Sequence, residues 1–392
     1  MLFSFAIMFL LSLLLGSIFK KLNLPSLLGI LLSGILLGPY VFNMIDDSIL
    51  SISSELRQVA LIIILLRAGF SLNIKDLMKV GRSAILMSFI PACMEILGMI
   101  ILAPLLLGVS ILDAAIMGSV IAAVSPAVIV PRMIKLMDEG YGTDKNIPQL
   151  IMAGASVDDI FVIILFTFLT SLALNNDVSL LSILDIPISI ITGIGIGWIL
   201  GKIFSKFFKQ FKCNTITVII ILLSISFLLV SLENSINDVI AFSALLSVMM
   251  MAITLNQNNQ PLSKEISLPL SNIWIVAEII LFTLVGAIVD ISYVESSGLI
   301  MALLIILVLL FRMSGVLLCL IKTPLNLKER LFCMVAYLPK ATVQASIGGI
   351  PLAMGLACGN IVLTCAVISI ILTAPIGAIC IDTLYQRLLN KN

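Results

Sequence analysis

The chain has 392 residues, 61% of them hydrophobic and only 11% charged, with a formal net charge of +1 and a mean hydropathy of +1.24. Soluble chains carry roughly 25% charged residues, so this composition excludes a water-soluble domain, and no nucleic-acid partner is expected. The sequence contains no histidine and seven scattered cysteines without a CxxC pair. The usual metal and haem ligands are thereby missing, no cofactor is expected, and any proton chemistry falls to carboxylates.

Taken in chain order, the apolar runs are too long for a buried globular core, since about 20 apolar residues suffice to span a bilayer as a helix. They are continuous rather than alternating, which argues against a strand barrel. The first run, 2–19, has no basic residues before it and no small-residue cleavage site after it, so it reads as a retained helix. Hydropathy places thirteen spans at approximately 2–19, 24–42, 58–72, 83–107, 112–136, 148–174, 184–204, 214–232, 236–254, 271–289, 297–321, 329–356 and 360–381. Of the 22 Lys and Arg residues, all but three fall in the odd-numbered loops and the C-terminus; the exceptions are Arg57, Arg312 and Lys340. The positive-inside rule then puts the N-terminus outside and the C-terminus in the cytoplasm. The loops are too short for a nucleotide-binding domain and there is no Walker sequence, so ATP-driven transport by this chain is not expected, nor is an enzyme.

Two spans carry interruptions. The fifth contains Ala122-Ala123-Val124-Ser125-Pro126-Ala127, with Pro131 beyond it, and the twelfth contains Leu338-Pro339-Lys340-Ala341-Thr342, then Gly348-Gly349-Ile350-Pro351. Proline removes a helical N–H and clashes with the preceding turn. Backbone groups freed at membrane depth persist only inside protein or beside a wet cavity. The two breaks fall in matching places when the chain is divided into a first six-helix repeat (1–174), a linking helix (175–213) and an inverted second repeat (214–392). Inverted repeats with discontinuous helices are the pattern of secondary transporters, with the site where the breaks cross.

Six ionisable residues lie at membrane depth: Glu95, Asp158, Asp159, Glu278, Arg312 and Lys340. Each costs roughly 2.5–3.5 kcal/mol there if unpaired, and such residues mark ion pathways. Asp158 and Asp159 are the sharpest signal. Neighbouring helical residues point about 100° apart, so both carboxylates require a packed, polar setting. Out of water the two are poorly tolerated as anions together, and either a bound cation or a proton relieves the penalty. Interhelical hydrogen bonding alone would be served by Asn or Ser at lower cost. Glu95 and Arg312 occupy the fourth spans of the two repeats and are expected to pair. In the functional version of that pair, Arg312 exchanges partners with Asp158. Lys340, at the second break, is expected to offset helix-end partial charges. Glu278 is read as nearer a helix end and carries no assignment.

The stretch SVIAAVSPAVIVPRMIKLMDEGYGTDKNIPQLIMAGASVDDIF (119–161) resembles that of monovalent cation:proton antiporters, closest to the NHA branch of sodium/hydrogen exchangers with its double Asp. Segments 25–39, 59–73 and 337–353 agree with it. The resemblance implies a homodimer in which a core, ion-translocating domain moves elevator-fashion against a dimerisation domain. It implies Asp159 as principal carrier of cation and proton, with Asp158 beside it and Glu95 as partner of Arg312; Ser125 and Lys340, at the two breaks, are further supporting candidates. Related antiporters have a lysine where this chain has Arg312. Arginine keeps its proton, which removes one proposed source of a second transported proton and points to electroneutral exchange.

The function expected is therefore Na⁺ or Li⁺ exchange for H⁺, serving pH homeostasis, in a multi-pass protein surrounded by lipid. Ile-, Asn- and Lys-rich usage suggests a bacterial inner membrane. K⁺/H⁺ exchange is the nearest alternative, because the sequence gives no site radius. An organic-anion symporter of the same crossed-helix architecture predicts fewer carboxylates, and a gated cation channel would need a filter such as TVGYG, which is absent.

Overall fold

In hydrocarbon, every backbone N–H and C=O must be satisfied within its own segment, so apolar runs of this length fold as helices. The computed structural model describes residues 1–71, 81–174, 180–211, 213–236 and 242–391. Among the described residues there is no strand, and one isolated antiparallel bridge joins Tyr141 to Lys391. Helix occurs on each of the thirteen apolar stretches. Nine helical segments among the described residues are long and apolar enough to cross a membrane, and the helix Ser26–Leu37 is a shorter apolar one. Lys75, Lys79 and Lys212, which enter the charge count, lie outside the described residues.

The breaks follow the prolines, though not every proline makes one. Helix Ile111–Ile121 stops and helix Pro126–Asp138 restarts with proline in its first turn, where no N–H is needed. Pro131 is accommodated inside that second helix without ending it. In the twelfth span, helix Leu327–Ala336 gives way to a non-helical stretch around Pro339, followed by the short helices Thr342–Ile347 and Ile350–Ala353. An unforeseen break divides the fourth span into Arg82–Met87 and Ile90–Leu107. Its cause is Pro91, whose ring opposes the carbonyl four residues back, on Met87, where the first piece ends.

Two basic residues sit differently from the charge count. Arg57 and Arg67 both lie inside the helix Ser53–Ser71 rather than in loops. Arg67 packs its guanidinium 6.0 Å from the Trp274 ring centre. Glu278 is also no helix-end residue. It is half-buried within the helix Gln260–Ala287, and its charge interacts with that of Arg67.

The chain forms two compact units. The first takes in the described residues of Met1–Ser54, Ile74–Ala173 and Leu281–Asn392, and the second those of Glu55–Asn73 and Leu174–Ile280. In the first unit, helix Ser26–Leu37 comes so close to the segment after Leu281 that a methyl on Gly34 or Gly286 would overlap the facing backbone. The Ser12 hydroxyl bridges the two sides, 2.6 Å from Ser33 Oγ and 2.9 Å from Thr283 Oγ1. Small residues and short hydroxyl bonds of this kind hold membrane helices together where no hydrophobic drive exists. In the second unit, helix Leu180–Gln210 packs along Ala244–Asn258, with the Ser247 hydroxyl donating to the Gly193 carbonyl at 2.8 Å.

Candidate functional site

A helix interrupted inside a membrane leaves carbonyls exposed at the end of one half and N–H groups at the start of the next. Here the two interruptions cross and partly satisfy each other: the Ser125 N–H donates to the Pro339 carbonyl at 2.8 Å. Everything around that crossing belongs to the first compact unit.

Arg312, fully buried on helix Ile291–Cys319, ties the crossing together. Its Nη1 donates to Glu95 Oε2 at 2.7 Å and its Nη2 to Asp158 Oδ2 at 2.9 Å. Its Nε donates to the Tyr337 carbonyl at 2.8 Å, and Nη1 also donates to the carbonyl of Ala122. Tyr337 and Ala122 are the C-cap residues of the half-helices Leu327–Ala336 and Ile111–Ile121. One guanidinium therefore meets the negative ends of both broken helices and two carboxylates, using the fork geometry that arginine alone offers. The expected Glu95–Arg312 pair forms. Arg312 holds Asp158 at the same time, so the two carboxylates are joint partners in this structure rather than alternatives.

Lys340 occupies the second break by its backbone, whose N–H donates to Thr373 Oγ1 at 2.9 Å. Its ammonium reaches Glu95 Oε2 at 2.5 Å. The carbonyls at the half-helix ends are met by Arg312, while the Lys340 ammonium turns to Glu95.

The Asp pair sits mid-way along helix Ile147–Leu174. Asp158 is fully buried and Asp159 is 7% exposed. Besides Arg312, Asp158 Oδ2 accepts the Val124 N–H at 2.9 Å, which fixes it beside the first break. The other oxygen of Asp158, Oδ1 of Asp159 and the hydroxyl of Ser125 are buried without a hydrogen-bond partner. Buried polar atoms are nearly always partnered, and those left open call for a functional explanation. Ser125 adjoins the residue that bonds Asp158, so the three open oxygens arise from one neighbourhood.

Two contributors escaped the sequence reading. Gln344 is fully buried. Its Oε1 accepts the Ala341 N–H at 2.7 Å, and its Nε2 donates to the carbonyls of Ala123 at 2.7 Å and Ile121 at 3.2 Å. One carboxamide thus closes the start of one half-helix and the end of the other. Tyr337 gives its carbonyl to Arg312 and places its ring 5.5 Å from the guanidinium. A signal for Gln344 existed: it is a neutral amide three residues after Ala341, the spacing of a capping residue.

The family described as sodium/hydrogen exchanger, transmembrane, matches residues 7–387. Human sodium/hydrogen exchanger 9B2 is 34% identical over 381 residues, covering 94% of this chain and 70% of its own length. Human sodium/hydrogen exchanger 9B1 is 30% identical over 393 residues, covering 94% of this chain and 73% of its own. The structure of the sodium proton antiporter MjNhaP1 from Methanocaldococcus jannaschii superposes with a TM-score of 0.85 at 20% identity, over 98% of this chain and 97% of that one, and shares its fold. On the extent of these matches, the chain is a multi-pass membrane protein that belongs to the sodium/hydrogen exchanger family.

Proposed function

We propose that the chain exchanges Na⁺ or Li⁺ for H⁺, with cation and proton competing for Asp159 and its neighbour Asp158. The observation that carries this reading is the trio of buried, unpartnered oxygens on Asp158, Asp159 and Ser125. Hard monovalent cations are bound by oxygen, and a carboxylate oxygen takes either a cation or a proton. Asp158 is held by Arg312 and the Val124 N–H, while no ion pair to Asp159 occurs among the described residues. Asp159 is therefore the carboxylate free to trade its occupant.

Charge balance supports one-for-one exchange. Glu95, Asp158, Arg312 and Lys340 form one buried network of two carboxylates and two cations, and Asp159, buried and next in sequence to Asp158, adds a third carboxylate outside those pairs. One proton or one Na⁺ completes neutrality. An empty site keeps a net negative charge, which crosses an apolar barrier poorly. Coupling follows, because only the occupied site moves. The movement itself is assigned to an elevator-type displacement of a core domain against a dimerisation domain in a homodimer. The halves 1–174 and 214–392 are assigned as inverted repeats joined by 175–213. The setting is assigned to a bacterial inner membrane with the C-terminus in the cytoplasm, on the distribution of Lys and Arg.

Competition has a quantitative signature. If one proton must leave for each cation bound, the apparent KM for Na⁺ rises about tenfold for each pH unit lowered while the site is mostly protonated, by linkage of the two ligands. Initial exchange rates in proteoliposomes between acid and alkaline pH give that slope directly. A KM that does not vary with pH would contradict competition at a shared site.

A further inference from the structure

Helix Leu180–Gln210 has 31 residues, about 46 Å at 1.5 Å per residue. The hydrocarbon core is only about 30 Å thick, so part of the helix extends into the headgroup zone. The chemistry of its last three turns marks that part. Lys202, Lys206 and Lys209 are all exposed, at spacings that put them on one face. With about 100° per residue, that face lies roughly opposite the seam of Gly193, Gly197 and Gly201, which packs on Ala244–Asn258. No carboxylate pairs with any of the three among the described residues. Three like charges are held side by side without an internal counter-ion.

Aromatic residues flank the stripe at the same level. The Lys202 ammonium lies 3.7 Å from the Trp198 ring centre. On the other flank, Ile199, Ile203 and Phe207 are exposed, as is Phe211 just past the helix. Phe204, Phe207, Phe208 and Phe211 form a continuous ladder, with ring centres 5.7 Å apart for Phe204–Phe208, 5.4 Å for Phe207–Phe208 and 4.9 Å for Phe207–Phe211. Setting the orientation of the chain needs only the positive charges. Exposed rings level with the ammoniums are the chemistry of the acyl–headgroup boundary, where rings enter the apolar edge and lysines reach phosphate.

We infer that the Lys202–Lys206–Lys209 face, with Trp198 and Phe207 beside it, is a docking surface for anionic phospholipid headgroups of the leaflet this helix end meets. The occupant is lipid rather than a soluble anion because the charged stripe is continuous with exposed apolar side chains that a soluble anion would leave bare. The inference stands independently of the proposed ion exchange.

The test uses full-length protein, purified in detergent and stripped of lipid, then titrated with phosphatidylglycerol or phosphatidylcholine. Bound lipid is read by native mass spectrometry. Wild type is expected to retain phosphatidylglycerol in preference to phosphatidylcholine, and inorganic phosphate is expected not to displace it. The triple variant Lys202→Gln, Lys206→Gln, Lys209→Gln is expected to bind phosphatidylglycerol ~10-fold more weakly or worse, from the contribution of each basic residue at an anionic surface. The corresponding triple Arg variant is expected to restore retention, which separates loss of charge from loss of fold. Equal retention of the two lipids, undiminished phosphatidylglycerol binding by the triple Gln variant, or displacement by inorganic phosphate would each overturn the assignment.

Discussion

Asp159→Asn is expected to abolish cation-dependent proton movement while the protein still folds. Asparagine matches aspartate in shape and can still hydrogen-bond, so the helix Ile147–Leu174 loses little packing. What it loses is the charge that a cation or proton neutralises, and with it the occupant to be exchanged. Asp158 does not replace it alone, because its charge is already paired with Arg312. The check pairs exchange in proteoliposomes with thermal unfolding of the same preparation. Loss of exchange with unfolding close to wild type is the expected pair of results. Retained exchange would place the carrier on another residue, and loss together with unfolding would make Asp159 structural.

Arg312→Met is expected to be the most destabilising single substitution in the core. The guanidinium satisfies Glu95, Asp158 and the carbonyls of Tyr337 and Ala122 together. Lys340 would still reach Glu95, but Asp158 would be left buried with one backbone partner. Removing one member of a buried ion pair costs about 3–5 kcal/mol, because the other remains as an uncompensated charge. Two half-helix ends would lose their cap as well. A large fall in the unfolding temperature of the purified protein is the expected outcome. Arg312→Lys should fall between, since a lysine keeps the charge but cannot meet four acceptors in the arginine's planar arrangement. An Arg312→Met protein as stable as wild type would contradict the capping role.

The sequence displayed most of this architecture because membrane folding is locally constrained. Apolar runs must become helices, so the spans could be read one at a time. Pro126 and Pro339 broke helices where their missing N–H groups predicted, whereas Pro131 lies inside a continuing helix. Pro91 broke one unnoticed, since a single proline near the start of an apolar run looks like an ordinary helix beginning. The charged residues of the site were visible because each is costly at depth and therefore conspicuous in an apolar chain. Their partners were partly visible: Glu95 with Arg312 followed from the matching positions of their spans.

Contacts between side chain and backbone across distant segments could not be read. The carbonyls that Arg312 and Gln344 cap belong to residues far away in sequence, and every residue carries a carbonyl, so nothing in the chain singles out Ala122 or Tyr337. The side-chain partner of Lys340 could not be read for the same reason. Its backbone position at the break is a local fact, but the direction of its side chain depends on where Glu95 lies in the folded unit. Arg67 and Glu278, both within helices and both in the second unit, are a further case in which the structure places charges where local reading did not.

The most direct test of the central claim is a proton-flux measurement on purified protein in liposomes. A trapped pH dye would report an imposed pH gradient while Na⁺, Li⁺ and K⁺ are added in turn, with and without a voltage clamp. The account predicts rapid dissipation on adding Na⁺ or Li⁺, at rates independent of the clamped voltage. A response to K⁺ alone would reassign the cargo, and silence towards all three cations would contradict cation/proton exchange at Asp158 and Asp159.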